Sequence, residues 1–308
     1  MIKELKYPKY LNLTEEELDQ RVEKAYKLLS FCKVCPHQCK VNRLVGQQGF
    51  CRSGKEVLIS SYNAHFGEEP PLVGSSGSGT IFFTNCNLRC VYCQNYPISQ
   101  LGNGNKVTLL ELAKIMLELQ KRRCHNINLV TPTHFVPQIL KGLKLAIKMG
   151  LRIPIVYNTS GYESVGTLKL LDGVVDIYLP DARYADNKIA KKYSAAPNYF
   201  EVMKKALKEM YRQVGELIVN KSGVAHSGLI VRHLVLPGGL SGSRKIMRFI
   251  AREISPHTYI SLMAQYFPAY LASQFPLLSR KINREEYREA LQAFKEEGLE
   301  NGWFQKDI

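Results

Sequence analysis

The sequence predicts an α/β fold: a partial (β/α)6 barrel preceded by a small cysteine-rich metal-binding region. Three observations predict it. From about residue 80 onward, short apolar runs rich in branched residues alternate with amphipathic stretches, the pattern of consecutive βα units around a parallel sheet. Six such runs occur, too few to close the eight-stranded βα barrel. Four of the eight cysteines fall between residues 32 and 51, ahead of the first run.

Taken in order, Thr14-Glu15-Glu16-Glu17 reads as a capping box, and Leu18, Val22, Ala25 and Leu29 recur at helical spacing. A helix is expected to about Phe31, delivering the chain to the first cysteines. Between Cys51 and Gly79 the text is turn-rich, with Glu69-Pro70-Pro71 and Gly74-Ser75-Ser76-Gly77-Ser78-Gly79. It reads as a linker, which sets a domain boundary near Leu72, with the cysteine-rich region in 1–71 and the barrel in 72–308. The glycine-rich stretch precedes a strand rather than following one, so it reads as a flexible turn and not a phosphate cradle. Strands are expected at 80–84, 127–130, 153–157, 175–179, 229–236 and 259–263. Between them a helix opens at Thr108, where Glu111 completes a second capping box and Leu112, Ile115, Met116 and Leu119 share a face. Further helical patterns cover 136–149, 199–214, 243–254 and 284–299. Functional residues are expected just after the strands.

With 308 residues, 45% of them hydrophobic, the chain can bury a substantial core, which excludes a disordered class. No run of about 18 uncharged apolar residues occurs, and Met1-Ile2-Lys3-Glu4-Leu5-Lys6 has no apolar signal region. The chain is therefore expected to be cytoplasmic, with its cysteines reduced and open to metal binding or catalysis. The net charge of +15 would attract polyanions, yet Lys204, Lys205 and Lys208 fit an ordinary solvated helix face. No aromatic-basic motif supports nucleic-acid binding.

Cys86-Asn87-Leu88-Arg89-Cys90-Val91-Tyr92-Cys93 follows the first barrel strand, so one loop carries three thiols at the carboxyl end of the sheet. A [4Fe-4S] cube normally takes four thiolates, and three leave one iron open. A structural zinc would want a fourth ligand, for which Cys124 is the spare cysteine. The C-x3-C-x2-C spacing, with Tyr92 before the last cysteine, resembles the defining motif of the radical SAM superfamily. The resemblance implies the barrel type and a cofactor pair, a [4Fe-4S] cluster whose open iron chelates S-adenosylmethionine. One electron then cleaves the sulfonium, giving methionine and a 5′-deoxyadenosyl radical that takes a substrate hydrogen.

Cys93-Gln94-Asn95, Asn158-Thr159-Ser160-Gly161-Tyr162, Tyr178-Leu179-Pro180-Asp181, Arg232-His233-Leu234-Val235-Leu236-Pro237-Gly238 and Met263-Ala264-Gln265-Tyr266 further resemble the pyruvate formate-lyase activating enzymes, most closely relatives with extra N-terminal cysteines. That resemblance implies an oxidoreductase with a glycyl-radical protein as substrate and flavodoxin or ferredoxin as electron donor. Asn158 and Ser160 would contact the ribose; a simple turn at Gly161 is the bland alternative, and both can hold. Asp181 and Arg183 would order the methionine moiety or form a structural ion pair. Arg232 is the better anion binder and His233 the core residue, since neighbours on a strand face opposite ways. The Gly-Gly-Glu-Pro segment of those enzymes is replaced by Leu129-Val130-Thr131-Pro132-Thr133-His134-Phe135. Thr131 and Thr133 would then receive the amino group, with His134 open to substrate.

Cys32, Cys35, Cys39 and Cys51 suffice for one further centre, either zinc or a second [4Fe-4S] cluster. Reduced thiols without metal remain a third reading, and His37 is a spare ligand. Radical modification of RNA or a small metabolite, and a non-catalytic iron–sulfur electron-transfer protein, stay open as alternatives. Cys124 reads as a semi-buried thiol without a role.

Overall fold

The computed structural model describes residues 6–305; the stretch read for a signal lies mostly outside them. The strands are β1 Val57–His65, β2 Ser78–Phe83, β3 Asn105–Val107, β4 Ile127–Val130, β5 Ile155–Thr159, β6 Ile177–Pro180, β7 Ile218–Val219, β8 Ala225–Leu234, β9 Tyr259–Met263 and β10 Gly302–Phe304. They run in the order β10-β9-β8-β6-β5-β4-β2-β1-β3, with β7 beside β8. From β2 to β10 along that order the pairs are parallel, whereas β1 pairs antiparallel with both β2 and β3. This is the expected α/β fold, and its open sheet is compatible with a partial barrel.

Helices Glu15–Ser30, Leu109–Lys121 and Arg284–Glu296 each open with a reciprocal capping box, at Thr14/Glu17, Thr108/Glu111 and Asn283/Glu286. Such a box satisfies two orphan N–H groups at once. The helix expected to reach residue 299 stops at Glu296, where Gly298 takes φ +80°, a left-handed turn that ends helices. No helix among the described residues is long and apolar enough to cross a membrane.

One expectation is overturned. The stretch read as a linker holds β1, a nine-residue strand, because Val57 and Ile59 are buried while Leu58 and Ser60 between and beyond them are half-buried, a period-two pattern. β1 runs antiparallel to β2, and His65 pairs with Ser78. The chain therefore leaves β1 at the amino end of the barrel strands. A helical turn, Pro70–Val73, follows, and its buried Leu72 packs with Val156, Ile177, Leu179 and Ile230. These are the inward residues of β5, β6 and β8; Tyr157, Tyr178, Leu229 and Val231 face the larger outer core.

Candidate active site

Alternation carries the inner-face register from apolar to polar. Val156 leads to Asn158, Leu179 to Asp181, and Ile230 to Arg232 two residues further on. All three polar residues line one cavity of about 300 Å³, with Phe82, Val130 and Met263 of the same face. Cys86, Cys90 and Cys93, on the loop leaving β2, line it too. Leu88 N–H donates to Cys86 Sγ at 3.3 Å, the Ser194 hydroxyl to Cys90 Sγ at 3.0 Å, and Ser99 Oγ lies 3.0 Å from Cys93 Sγ.

Burial pushes the Cys86 thiol up to about 12, and with it the Cys90 thiol upward. Bare thiols would stay neutral here, whereas metal coordination deprotonates a thiol outright. No three His, Cys, Asp or Glu side chains among the described residues converge on a single-ion position. A four-iron cube takes each thiolate on a different iron and does not require such convergence. Three thiols on one loop, with donors on their sulfurs and space before them, fit a cluster with one open iron.

A charged ladder leads away from Cys90. Arg183 Nη1 lies 3.5 Å from Cys90 Sγ, and its Nη2 donates to Asp181 at 2.5 Å. Arg232 Nε donates to the other Asp181 oxygen at 2.8 Å and its Nη2 to Asn158 Oδ1 at 2.6 Å. Its Nη1 lies 3.7 Å from Glu68. Burial pushes the Asp181 carboxyl up, but the Arg232 and Arg183 guanidiniums outweigh it and hold the group below its ordinary value. For Glu68 burial wins, and despite Arg232 its carboxyl rises to about 7, helped by the adjacent Glu69. Three buried polar atoms of the lining lack partners: Ser160 Oγ, Arg183 Nε and Glu69 Oε2. The hydroxyl and the cationic N–H are the complement of a ligand bearing hydroxyl and carboxylate groups, as S-adenosylmethionine does.

A protein of Methanocaldococcus jannaschii, described as uncharacterised, is 34% identical over 293 residues, covering 92% of this chain and 80% of that protein. The radical SAM superfamily profile matches residues 80–225, from β2 to the first residue of β8. The chain belongs to the radical SAM superfamily. Among solved structures, anSMEcpe with bound AdoMet aligns at 12% identity over 69% of this chain and 57% of its own, with a TM-score of 0.46. The [FeFe]-hydrogenase maturase HydG aligns at 12% over 96% of this chain and 63% of its own, with a TM-score of 0.47. The chain thus spans less than two thirds of either solved protein. Members of the superfamily bind a [4Fe-4S] cluster and S-adenosylmethionine.

Of the residues expected at the radical SAM site, the cavity gathers Asn158, Ser160, Thr131, Asp181, Arg183 and Arg232. Thr131 takes φ +58°, a strained conformation for a β-branched residue. Three expectations need correction or refinement. Thr133 does not line the cavity; it is buried in a helical turn, and its hydroxyl donates to Glu163 at 2.5 Å. His134 turns away too: its Nε2 donates to the Thr84 carbonyl at 2.8 Å, and burial lowers its pKa to about 3. Tyr92 is buried, its hydroxyl 2.5 Å from that of Tyr184, and it lines a smaller adjoining cavity with Arg183 and Arg232. His233 is a core residue, held between the Ala182 carbonyl at 2.6 Å and Ser243 Oγ at 2.9 Å.

Reading the sequence missed Glu68 and Glu69, which line the cavity from below. Their signal was present in Gly67-Glu68-Glu69-Pro70, two acids held by a proline, but it lay inside the supposed linker.

The N-terminal cysteines dock on the cluster loop. Cys32, Cys35 and Cys51 are buried and Cys39 half-buried, and the other three lie within electrostatic range of Cys35, whose thiol burial pushes well up. His37 Nε2 donates to the Asn87 carbonyl at 2.8 Å, and Asn85 Nδ2 to Ser53 Oγ at 3.2 Å. The Arg89 guanidinium stacks 4.9 Å over Phe50 and feels both the Cys86 and Cys51 thiols. Fully buried Arg43 joins the carbonyls of Gly54 and His134. Cys124 is buried near the foot of β2, where Gly79 approaches it.

Proposed function

We propose that the cavity is where this radical SAM enzyme brings its cluster, S-adenosylmethionine and substrate together. The observation that carries the reading is that one cavity is lined by all three loop cysteines and by the polar inner-face residues Asn158, Asp181 and Arg232. Cys86, Cys90 and Cys93 would hold the cluster, which would supply one-electron reduction of the sulfonium of S-adenosylmethionine and so the means of taking a hydrogen atom from the substrate.

The chain's own residues have distinct tasks. Asp181, kept ionised by two guanidiniums, is an anchor rather than a proton donor. It fixes Arg183 so that one N–H faces Cys90, where it favours the thiolate, and the free Nε–H remains for a carboxylate. Asn158 holds Arg232, and Ser160 offers a hydroxyl to the ribose. Tyr92 packs behind the loop, and Thr131 offers a hydroxyl at the end of β4.

The four N-terminal thiols would hold a second metal centre; since no three His, Cys, Asp or Glu side chains among the described residues converge on a single-ion position, a second [4Fe-4S] cluster is favoured over zinc, and what supports a redox role is their docking through Arg89 against the first cysteine loop. A flavodoxin or ferredoxin would supply electrons. A glycyl-radical protein as substrate rests on the motif resemblance alone.

The test is anaerobic. The protein is reconstituted with iron and sulfide, iron and zinc are counted, and dithionite and S-adenosylmethionine are added. Formation of 5′-deoxyadenosine is expected. Its absence from protein holding a reducible cluster would overturn the catalytic reading, and iron near eight rather than four per chain would identify the N-terminal centre as a second cluster.

A further inference from the structure

The acidic end of the cavity has no task in the reading above. Glu68, Glu69 and Asp181 line it against two guanidiniums, Arg183 and Arg232, so the carboxyl groups are in excess by one. Asp181 is satisfied by both arginines, and Glu68 reaches one of them, Arg232, at 3.7 Å, besides the side chain of Glu69. Glu69 is 4% exposed and its Oε2 has no partner. A buried carboxylate oxygen without a donor is costly, and the cost is relieved by whatever brings one.

The position of this pair narrows what that is. Contacts run from Cys90 through Arg183, Asp181 and Arg232 to Glu68, at 3.5, 2.5, 2.8 and 3.7 Å in turn, and Glu69 adjoins the last. The pair thus stands at the end of the ladder remote from the cluster cysteines. β1 delivers it there from the amino end of the strands, while the cysteines occupy the carboxyl end. A group chelating the open iron of a cluster held by Cys86, Cys90 and Cys93 would lie at the cysteine end. No three His, Cys, Asp or Glu among the described residues are arranged for a metal ion, and two carboxyls repel an anion.

We propose that Glu68 and Glu69 form a subsite for an ammonium group carried by the substrate. This rests on the cavity being the reaction site. The substrate is then an amine, whether a small molecule or a lysine-like side chain, entering with its cationic end deepest and its reacting carbon nearer the cysteines.

Trp303 is the single tryptophan of the chain and lines the same cavity, so its fluorescence reports occupancy. Reconstituted protein would be titrated with n-butylammonium chloride and, as the neutral isostere, n-butanol. The ammonium probe is expected to bind at least about tenfold tighter. Glu69→Gln should remove that preference with iron content and melting temperature retained; should Glu69→Gln fail to fold, Glu68→Gln provides the same comparison. Equal binding of the two probes to the unaltered protein, or a preference that survives the folded variant, overturns the proposal. S-adenosylmethionine carries an ammonium of its own and supplies the second arm. Unchanged affinity for it in Glu69→Gln supports the substrate as the source, and an approximately tenfold loss reassigns the subsite to the cofactor. Loss of 5′-deoxyadenosine formation in the unaltered protein, with the amine preference intact, would remove the catalytic reading and leave the subsite standing.

Discussion

Arg183 shows how one side chain divides its donors: one N–H at the Cys90 sulfur, one on Asp181, and Nε without a partner. On the cluster site proposed above, the sulfur it faces would be a ligand, so Cys90→Ala should cost the site its cluster. Iron should fall by about four per chain and 5′-deoxyadenosine formation should cease. Cys35→Ala should keep that iron and lose only the N-terminal centre; retained cleavage by Cys90→Ala would sink the assignment. Asn158 acts at one remove. Its Oδ1 accepts from Arg232 at 2.6 Å, and the loss of a hydrogen bond to a charged group costs about 1.5–3 kcal/mol. Asn158→Ala should therefore weaken S-adenosylmethionine binding by about tenfold or more in equilibrium dialysis, with iron content unchanged. Unaltered affinity would reduce Asn158 to a strut of the fold.

The polar ends of β5, β6 and β8 meet because each strand keeps its inward alternation one step past the apolar lid of Leu72. Gly161 lets the first of them turn. It takes φ +74°, and a Cβ there would lie 2.3 Å from the Asp181 carbonyl oxygen. Gly161→Ala should destabilise the fold by about 2 kcal/mol or more in denaturant titration, and it should also impair cofactor binding, because Asp181 must move. A loss of stability alone would mean that the strand end adjusts without disturbing the ladder. The strands of this sheet were legible where they are buried on both faces, as at 127–130 and 259–263, since short, mainly apolar runs bounded by turn residues, each broken by a single polar residue, Asn128 or Ser261, have few other readings. β3, β7 and β10 are two or three residues long and hold no periodicity to read. β1 was hidden for another reason: one face is half-exposed, so polar residues interrupt it, and the glycines and prolines beyond suggested a linker. Missing β1 meant missing Glu68 and Glu69. The cysteines were legible because ligand spacing is a local property, whereas a carboxylate pair entering the lumen from the opposite end of the strands is a property of topology.

Across the whole molecule, a single core joins Tyr10 and Ala25 to residues as distant as Leu299, and ionisable groups caught inside it make stability depend on pH in opposing ways. Burial lowers His134 to about 3 and His233 to about 4, from an ordinary 6.5. In that window the unfolded chain binds more protons than the folded one, so these histidines contribute stability at neutral pH that is lost as pH falls below about 6.5. Burial raises Glu163 to about 7 from an ordinary 4.5, although Thr133 and Thr159 donate to it. Here the folded chain binds the extra proton, so its contribution is present below about 4.5 and is lost as pH rises through 7. Single substitutions separate the two. His134→Gln removes a group that favours the fold more at pH 8 than at pH 5, so its cost should be greater at pH 8. Glu163→Gln should cost more at pH 5 than at pH 8. Each difference should be on the order of 2 kcal/mol, since one pK unit is worth about 1.4 kcal/mol. Urea unfolding of both variants and the unaltered protein at the two pH values would measure it. A crossing of the two variants' costs between pH 5 and pH 8 is expected; parallel costs would mean that water reaches these groups and that neither is held in the charge state its burial imposes.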